Sequence, residues 1–155
     1  MVNKKIVGTQ TTEYNDVKFK STLEMRCYKL LEESGLKFTH ESEKIDLWTG
    51  FKPTIDIWSP SKIRGTYKLT SLMEKQSRSF IKITYTPDFK VVRGNHIIYM
   101  DAKGFPNDVY GYKKKMFIKS LELRNDGIQY VFMEPHSIRQ MKQAIEIIKT
   151  YEEIK

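Results

Sequence analysis

Apolar residues recur at helical spacing in three segments of the chain, and each spacing predicts a helix. The first helix is predicted over residues 21–33, because Ser21 and Glu24 have the spacing of a capping box. Gly35 is suited to end it, since glycine tolerates the left-handed conformation of a helix C-terminus. The stripe of this helix that faces the core is predicted to consist of Leu23, Cys27, Leu30 and Leu31.

The second and third helices are predicted near the end of the chain. Asn107 or Asp108 can cap the second helix, which runs to about residue 124, and Ser137 can cap the third over residues 137–154. The inward face of the second helix is predicted to consist of Tyr112, Met116, Phe117, Ser120 and Leu121. The inward face of the third is predicted to consist of Ile138, Met141, Ile145, Ile148 and Tyr151.

Shorter apolar segments between the helices predict strands. Residues 81–85 alternate between apolar and polar, as expected of a half-buried strand. Residues 91–92 and 97–100 flank a Gly94-Asn95 turn, which predicts a β-hairpin. A further strand is predicted over residues 128–133.

Two parts of the chain have weaker patterns. Residues 1–20 are expected to form an extended N-terminal arm with a small turn at Asn15-Asp16. Residues 55–58 are a strand candidate. Residues 59–79 form a polar stretch that is expected to be a loop or an inserted short helix around Leu72-Met73. The cations of this stretch are Lys62, Arg64, Lys68, Lys75 and Arg78.

Length, charge and cysteine content limit the class of protein. A chain of 155 residues is expected to form a single domain with a normal core. The formal net charge of +8 favours a polyanionic partner, although a basic surface that only improves solubility would give the same value. The chain has one cysteine and no apolar segment at its N-terminus, so we expect an intracellular, cytoplasmic protein in a reducing compartment.

Two carboxylates and a lysine are predicted to meet at one end of the hairpin. Asp88 lies at the start of its first strand and Asp101 at the end of its second, so antiparallel pairing brings them close together. Side chains alternate along a strand, so Asp101 and Lys103 are expected to point the same way while Ala102 points into the sheet. Two carboxylates can hold a hard divalent cation, and an ammonium group beside them can stabilise negative charge.

The segments Pro87-Asp88 and Asp101-Ala102-Lys103 resemble the paired motifs of the PD-(D/E)XK nuclease superfamily. Residues 19–31 resemble the first helix of the small phage-type endonucleases of this superfamily, and residues 112–117 resemble a later part. The similarity covers roughly residues 14–133. It implies an α/β fold with a restriction-endonuclease-like αβββαβ core, in which helices flank a mixed central sheet, and here an extra C-terminal helix follows that core.

Each residue of this predicted site has an expected role. Asp88 and Asp101 are expected to ligate Mg²⁺ or Mn²⁺, since these ions prefer oxygen ligands. The resemblance implies that the carbonyl of Ala102 is a third protein ligand. Lys103 is expected to orient the attacking water or to stabilise the charge of the transition state. The resemblance also implies that Glu24 adds an acidic group, which binds a second metal directly or through water.

Purely structural roles stay open for the same residues. Glu24 can serve only as a helix cap, and Asp88 can be an ordinary turn residue after proline. Asp101 and Lys103 can form a charge pair on a solvated face, although the strand before them is apolar on both faces. The three histidines, which are not expected to be catalytic, are His40, His96 and His136.

Candidate nucleic-acid contacts lie outside the motif. A run of three lysines is expected to contact DNA phosphates from the start of the second helix, or else to form a solvated helix face. Four aromatic residues can stack on bases or belong to the core. The lysines are Lys113, Lys114 and Lys115, and the aromatic residues are Trp48, Trp58, Tyr67 and Tyr85.

The sequence therefore predicts a magnesium-dependent endodeoxyribonuclease. Small size and basic character resemble Holliday-junction resolvases, which would make it selective for branched DNA. Symmetric cutting of two strands favours a homodimer, and no membrane is expected as a partner. The alternatives are a nicking or restriction-like nuclease and a non-catalytic nucleic-acid-binding module of a recombination complex.

Overall fold

The structure is a computed structural model that describes residues 11–71 and 79–151. Within these residues it is a mixed α/β protein. Its helices are α1 (Thr22–Ser34), α2 (Asp108–Glu122) and α3 (Ile138–Lys149). Its strands are β1 (Thr12–Tyr14), β2 (Val17–Phe19), β3 (Phe38–His40), β4 (Ile45–Trp48), β5 (Trp58–Ile63), β6 (Thr66–Ser71), β7 (Ile83–Tyr85), β8 (Phe89–Arg93), β9 (His96–Met100) and β10 (Gln129–Met133).

The central element is a four-stranded mixed sheet in the order β10-β9-β8-β3. β9 runs parallel to β10 and antiparallel to β8, and β8 runs antiparallel to β3. The predicted hairpin is confirmed: Arg93 pairs with His96, so the turn is Gly94-Asn95. Gly94 has a φ of 57°, a left-handed conformation that glycine adopts without steric cost.

Helices cover both faces of this sheet. On one face, the buried core joins α1 and α3 to residues of β8 and β9; its members include Cys27, Leu31, Phe89, Val91, Ile98, Met100, Met141, Ile145 and Ile148. On the other face, Phe117 of α2 packs edge-on against Tyr99 and Phe132. Alternate residues of each strand therefore pack against different helices, which explains why β9 is apolar on both faces.

The predicted helices and their N-caps are confirmed. Ser21, Asn107 and Ser137 each accept a hydrogen bond from the backbone N–H three residues later, and Gly35 ends α1 with a φ of 73°. Tyr112 was predicted to face inward, which is wrong because its side chain is exposed. Phe117 and Leu121 are buried as predicted, and the third buried residue of α2 is Tyr110.

The weakly patterned segments differ most from expectation. The predicted arm contains an antiparallel hairpin of β1 and β2, and its predicted turn has positive φ at Asn15 and Asp16. The strand predicted over residues 55–58 is wrong, because Ile55 is exposed and β5 begins only at Trp58. Residues 59–71 are not a loop: β5 and β6 form a hairpin around Arg64-Gly65, both at positive φ.

Three predictions fall outside the described residues: the first half of the arm, the helix around Leu72-Met73 with Lys75 and Arg78, and the last turn predicted for the third helix. In the described residues, no helix is long and apolar enough to cross a membrane.

The described residues form two compact units. The first contains residues 11–45 and 85–151, and so includes the four-stranded sheet and the three helices. The second contains residues 46–71 and 79–84, and so includes the β5–β6 hairpin. In this unit Gly50 lies so close to the backbone of residues 80–82 that an added Cβ would be 2.7 Å from the carbonyl oxygen of Phe80.

Two neighbouring isoleucines of α3 test the core. Ile148 is fully buried in it, whereas Ile147 is about half exposed. We expect Ile148→Ala to lower the free energy of unfolding by about 2–5 kcal/mol, because it removes buried methyl groups and leaves a cavity. Ile147→Ala should cost less than about 1 kcal/mol. Urea unfolding of both variants measures the difference, and equal losses would show that α3 does not pack through this face.

Candidate metal centre

The hairpin register brings Asp88 and Asp101 side by side. Phe89 pairs with Met100, so the residues just beyond this pair, Asp88 and Asp101, face each other. Asp88 accepts a hydrogen bond of 2.8 Å from the backbone N–H of Ala102, and the charge of Asp101 acts on the Asp88 carboxyl. The structure thus brings together the carboxylates that the sequence predicted to meet.

These carboxylates are buried, which matters for their charge. Asp88 is 9% exposed and Asp101 is 4% exposed. Burial, and then the charges of Asp101 and Glu24, raise the pKa of Asp88 to about 9. Asp88 therefore holds a proton at neutral pH. A cation between them would replace that proton.

Tyrosines support the Asp101 side of the pair. The hydroxyl of Tyr85 donates a hydrogen bond to Asp101. Burial and the charge of Asp101 raise the pKa of Tyr85, which keeps this hydroxyl a donor. The ammonium of Lys103 lies 4.8 Å from the ring centre of Tyr110. Lys103 is therefore held two residues beyond Asp101 by a contact with an aromatic ring.

Glu24 lies on the buried face of α1 together with Cys27 and Leu31. One of its carboxylate oxygens accepts a 2.9 Å hydrogen bond from the backbone N–H of Lys20, and the other lies 2.7 Å from Nε2 of His40. Ser21 accepts a hydrogen bond from the N–H of Glu24, but the carboxylate of Glu24 accepts from the N–H of Lys20 and not from that of Ser21. Glu24 is only 2% exposed, and because its carboxylate also contacts His40 it does more than cap the helix.

Sequence reasoning missed a second group of possible ligands around Glu24. One side-chain ligand atom from each of Glu24, His40 and Glu41 lies within 4.8 Å of the others. Glu41 also forms a salt bridge with Lys20, and its backbone N–H donates to the carbonyl of Asp88 at 2.8 Å. His40, which was not expected to be catalytic, therefore contacts a predicted site residue.

Glu134 was also missed. It follows Met133, which pairs with Met100, so it lies beside Asp101 on the neighbouring strand. Its carboxylate accepts hydrogen bonds from Tyr110 at 2.8 Å and from Lys114 at 2.7 Å, and lies 2.7 Å from His136. Burial acts to raise its pKa, but these three bonds lower the pKa of Glu134 below its usual value.

Four acidic residues therefore follow one another along a single edge of the sheet. In strand order they are Glu134, Asp101, Asp88 and Glu41, each one residue beyond the last paired position of its strand. Glu134 and Glu41 are compensated by cations, whereas burial and the charge of Asp101 raise the pKa of Asp88 to about 9. Carboxylate oxygens are ligands that hard divalent cations prefer, so the two central carboxylates are a candidate cation site beside the group of Glu24, His40 and Glu41.

The three lysines of α2 have different surroundings. Lys114 forms a 2.7 Å salt bridge with Glu134, so part of its charge is already compensated. Lys115 is exposed and Lys113 is half-buried. Their predicted contacts with DNA stay a prediction, and Lys114 is better placed to support Glu134 than to bind a phosphate.

Comparison with known proteins adds no relative. No family model, curated protein or solved structure matches this chain.

The raised pKa of Asp88 predicts how the stability of the metal-free protein depends on pH. The folded pKa of Asp88 is raised above the unfolded value of about 4, so between these values the folded protein binds more protons than the unfolded chain. This contribution to stability is complete below about pH 4 and is lost as pH rises toward about 9.

Metal-free protein should accordingly lose stability between pH 5 and 8, with a slope of up to about 1.4 kcal/mol per pH unit for one proton. Asp88→Asn should flatten this slope, because the amide does not titrate. Urea unfolding in EDTA at several pH values measures the effect. Identical slopes of unfolding free energy against pH in the wild type and in Asp88→Asn would contradict a proton held by Asp88 in the folded protein.

Proposed function

We propose that this protein is a magnesium-dependent endodeoxyribonuclease of the PD-(D/E)XK type. The observation that carries the proposal is the buried, side-by-side pair Asp88 and Asp101, with Lys103 two residues further on. Two buried carboxylates side by side are destabilised when both are ionised and no cation is bound. A module that only binds nucleic acid has no use for such a pair of carboxylates next to a phosphate. The order of helices and strands, with a mixed central sheet, supports the restriction-endonuclease-like core.

Asp88, Asp101 and the carbonyl of Ala102 would hold the ion. Bound Mg²⁺ would lower the pKa of water and neutralise charge on the phosphoryl group. The backbone N–H of Ala102 fixes one oxygen of Asp88, and the hydroxyl of Tyr85 fixes one oxygen of Asp101. Each carboxylate therefore has an oxygen left to face a cation, and both are held rigidly by the sheet.

Lys103 would act on the phosphate or on the attacking water. Its ammonium lies against the Tyr110 ring, two residues along the chain from Asp101. A Lys–carboxylate salt bridge would reduce the charge available for the transition state. Burial and the charge of Asp101 raise the pKa of Tyr110, so its hydroxyl remains a donor to Glu134. This network orients the ring against which Lys103 lies.

The choice of DNA as substrate rests on charge. The formal net charge of +8 favours a polyanion, and cleavage of its phosphodiester bonds is the reaction that the site chemistry fits. Selectivity for branched DNA and action as a homodimer belong to the same proposal, through the resemblance to small phage-type resolvases. A nicking nuclease would use the same site.

The direct test is incubation with supercoiled, linear, single-stranded and four-way-junction DNA in Mg²⁺, Mn²⁺ or EDTA. Endonucleolytic products that need a divalent ion would support the proposal. Preferential cutting of the junction would support a resolvase, and nicked circles alone would support a nicking enzyme. DNA binding without cleavage in either metal would favour the non-catalytic module.

Asp101→Asn is expected to abolish cleavage while leaving folding and DNA binding largely intact. It removes a ligand charge from the ion, and it also reduces repulsion of the phosphate. Asp16→Asn is the matched control, because Asp16 is exposed in a turn at a φ of 61° that asparagine also adopts. Near-wild-type cleavage by Asp101→Asn at limiting Mg²⁺ would remove Asp101 from the site.

Glu24→Gln separates catalysis from capping. Glutamine can still accept the Lys20 N–H and still suits this position of a helix, so the thermal midpoint should barely change. If the charge serves the metal site, turnover at limiting Mg²⁺ should fall at least about tenfold, or about 1.4 kcal/mol of barrier. Glu33→Gln, on the exposed side of α1, is the control. Unchanged turnover would return Glu24 to a structural role.

A further inference from the structure

The β5–β6 hairpin is a two-stranded ribbon with unusual exposure. Its strands pair over six positions, from Trp58 with Ser71 to Ile63 with Thr66, and no other described strand joins them. Trp58 is 61% exposed and Tyr67 is 71% exposed. The sequence left open whether these aromatic residues belong to a core, and their exposure excludes that role within the described residues.

The charge of the ribbon has one sign. Residues 58–71 include Lys62, Arg64 and Lys68 and contain no aspartate or glutamate. Lys62 pairs directly with Tyr67, so an ammonium and an exposed aromatic ring lie next to each other on one face. Trp58 has the same strand parity as Lys62 and therefore lies on that face too. Arg64 is at the turn and Lys68 is on the opposite face.

This combination matches the requirements of single-stranded DNA. Bases of a single strand stack on exposed aromatic rings, and neighbouring cations neutralise the phosphates that connect them. In a duplex the bases are already stacked on one another, so the flat faces of Tyr67 and Trp58 would have no partner there. A polyanion with free base faces is thus the partner that both the rings and the cations fit.

Association of two ribbons from two copies of the chain fits less well. An interface between identical patches would place Lys62 and Arg64 of one copy close to those of the other, with no carboxylate on the ribbon to compensate them. An exposed apolar face is otherwise typical of a protein interface, so the experiment must distinguish the two.

We propose that the β5–β6 ribbon binds single-stranded DNA, with Tyr67 and Trp58 stacking on bases and Lys62 and Arg64 contacting phosphates. The inference rests on the proposed DNA nuclease, for which it names the part of the substrate held outside the catalytic unit: an unpaired segment. Since the ribbon is tethered to that unit by the chain, its binding would raise the local concentration of DNA that carries such segments.

The test is fluorescence anisotropy of a labelled oligothymidylate of about 15 nucleotides, a length within the usual range of single-strand sites. The full chain is used, with Ca²⁺ in place of Mg²⁺ so that binding is measured without cleavage. Tyr67→Phe keeps the ring, whereas Tyr67→Leu keeps apolar bulk and loses it. We expect Tyr67→Phe to bind like the wild type and Tyr67→Leu to bind about tenfold more weakly.

A charge variant tests the phosphate contacts separately. Lys62→Ala with Arg64→Ala should flatten the slope of log K against log salt by about 1.4, since each contact with a single strand contributes about 0.7. Arg139→Ala with Lys142→Ala removes the same charge from exposed positions of α3 and should leave the slope unchanged.

Several results would overturn the inference. Wild-type binding by Tyr67→Leu would do so, as would equal losses in Tyr67→Leu and Tyr67→Phe. A shift from dimer to monomer in sedimentation of Tyr67→Leu, with oligothymidylate binding intact, would identify the ribbon as a protein interface. If the protein cleaves DNA with metal but the ribbon variants bind like the wild type, the proposed role of the ribbon is wrong and the nuclease proposal stands. If binding depends on the ribbon but no DNA is cleaved, the nuclease proposal is wrong and the role of the ribbon stands.

Discussion

The register of the β8–β9 hairpin determines where the candidate site lies. The pair Phe89 and Met100 is the last of the ladder, so the next residue of each strand is a buried aspartate. A shift of one residue would turn Phe89 and Met100 out of the core formed with α1 and α3 and would separate the two carboxylates. Packing of the core and geometry of the site thus depend on one set of backbone pairings.

The sheet edge concentrates negative charge, and the structure compensates it unevenly. Glu41 and Glu134, at the outer strands, each contact a lysine, and Glu134 also contacts His136. Asp88 and Asp101, at the inner strands, contact a backbone N–H and a tyrosine hydroxyl, and the pKa of Asp88 is raised to about 9. Such uncompensated pairs are costly unless a cation binds, which is why they occur more often at functional sites than in ordinary cores.

Local signals predicted the helices, their caps and the hairpin well, because Ser21, Asn107 and Ser137 act within one turn of chain. The candidate carboxylates were found for the same reason: a two-residue turn sets the pairing of Asp88 with Asp101. Glu134 was not found, since its position depends on a parallel pairing with β9 across α2. The β5–β6 hairpin was missed because β5 lacks apolar alternation and Arg64-Gly65 is not one of the dipeptides typical of a two-residue hairpin turn, although Tyr67 and Leu69 of β6 alternate with polar residues.

Calorimetric titration with Mn²⁺ tests the central claim, that Asp88 and Asp101 form a cation site holding a proton when no metal is bound. Titrations near pH 7 in buffers of different ionisation enthalpy give the number of protons released. We predict binding with release of about one proton in the wild-type chain, and weaker binding with less release in Asp88→Asn. Binding that releases no proton, or that Asp88→Asn leaves unchanged, would contradict the site.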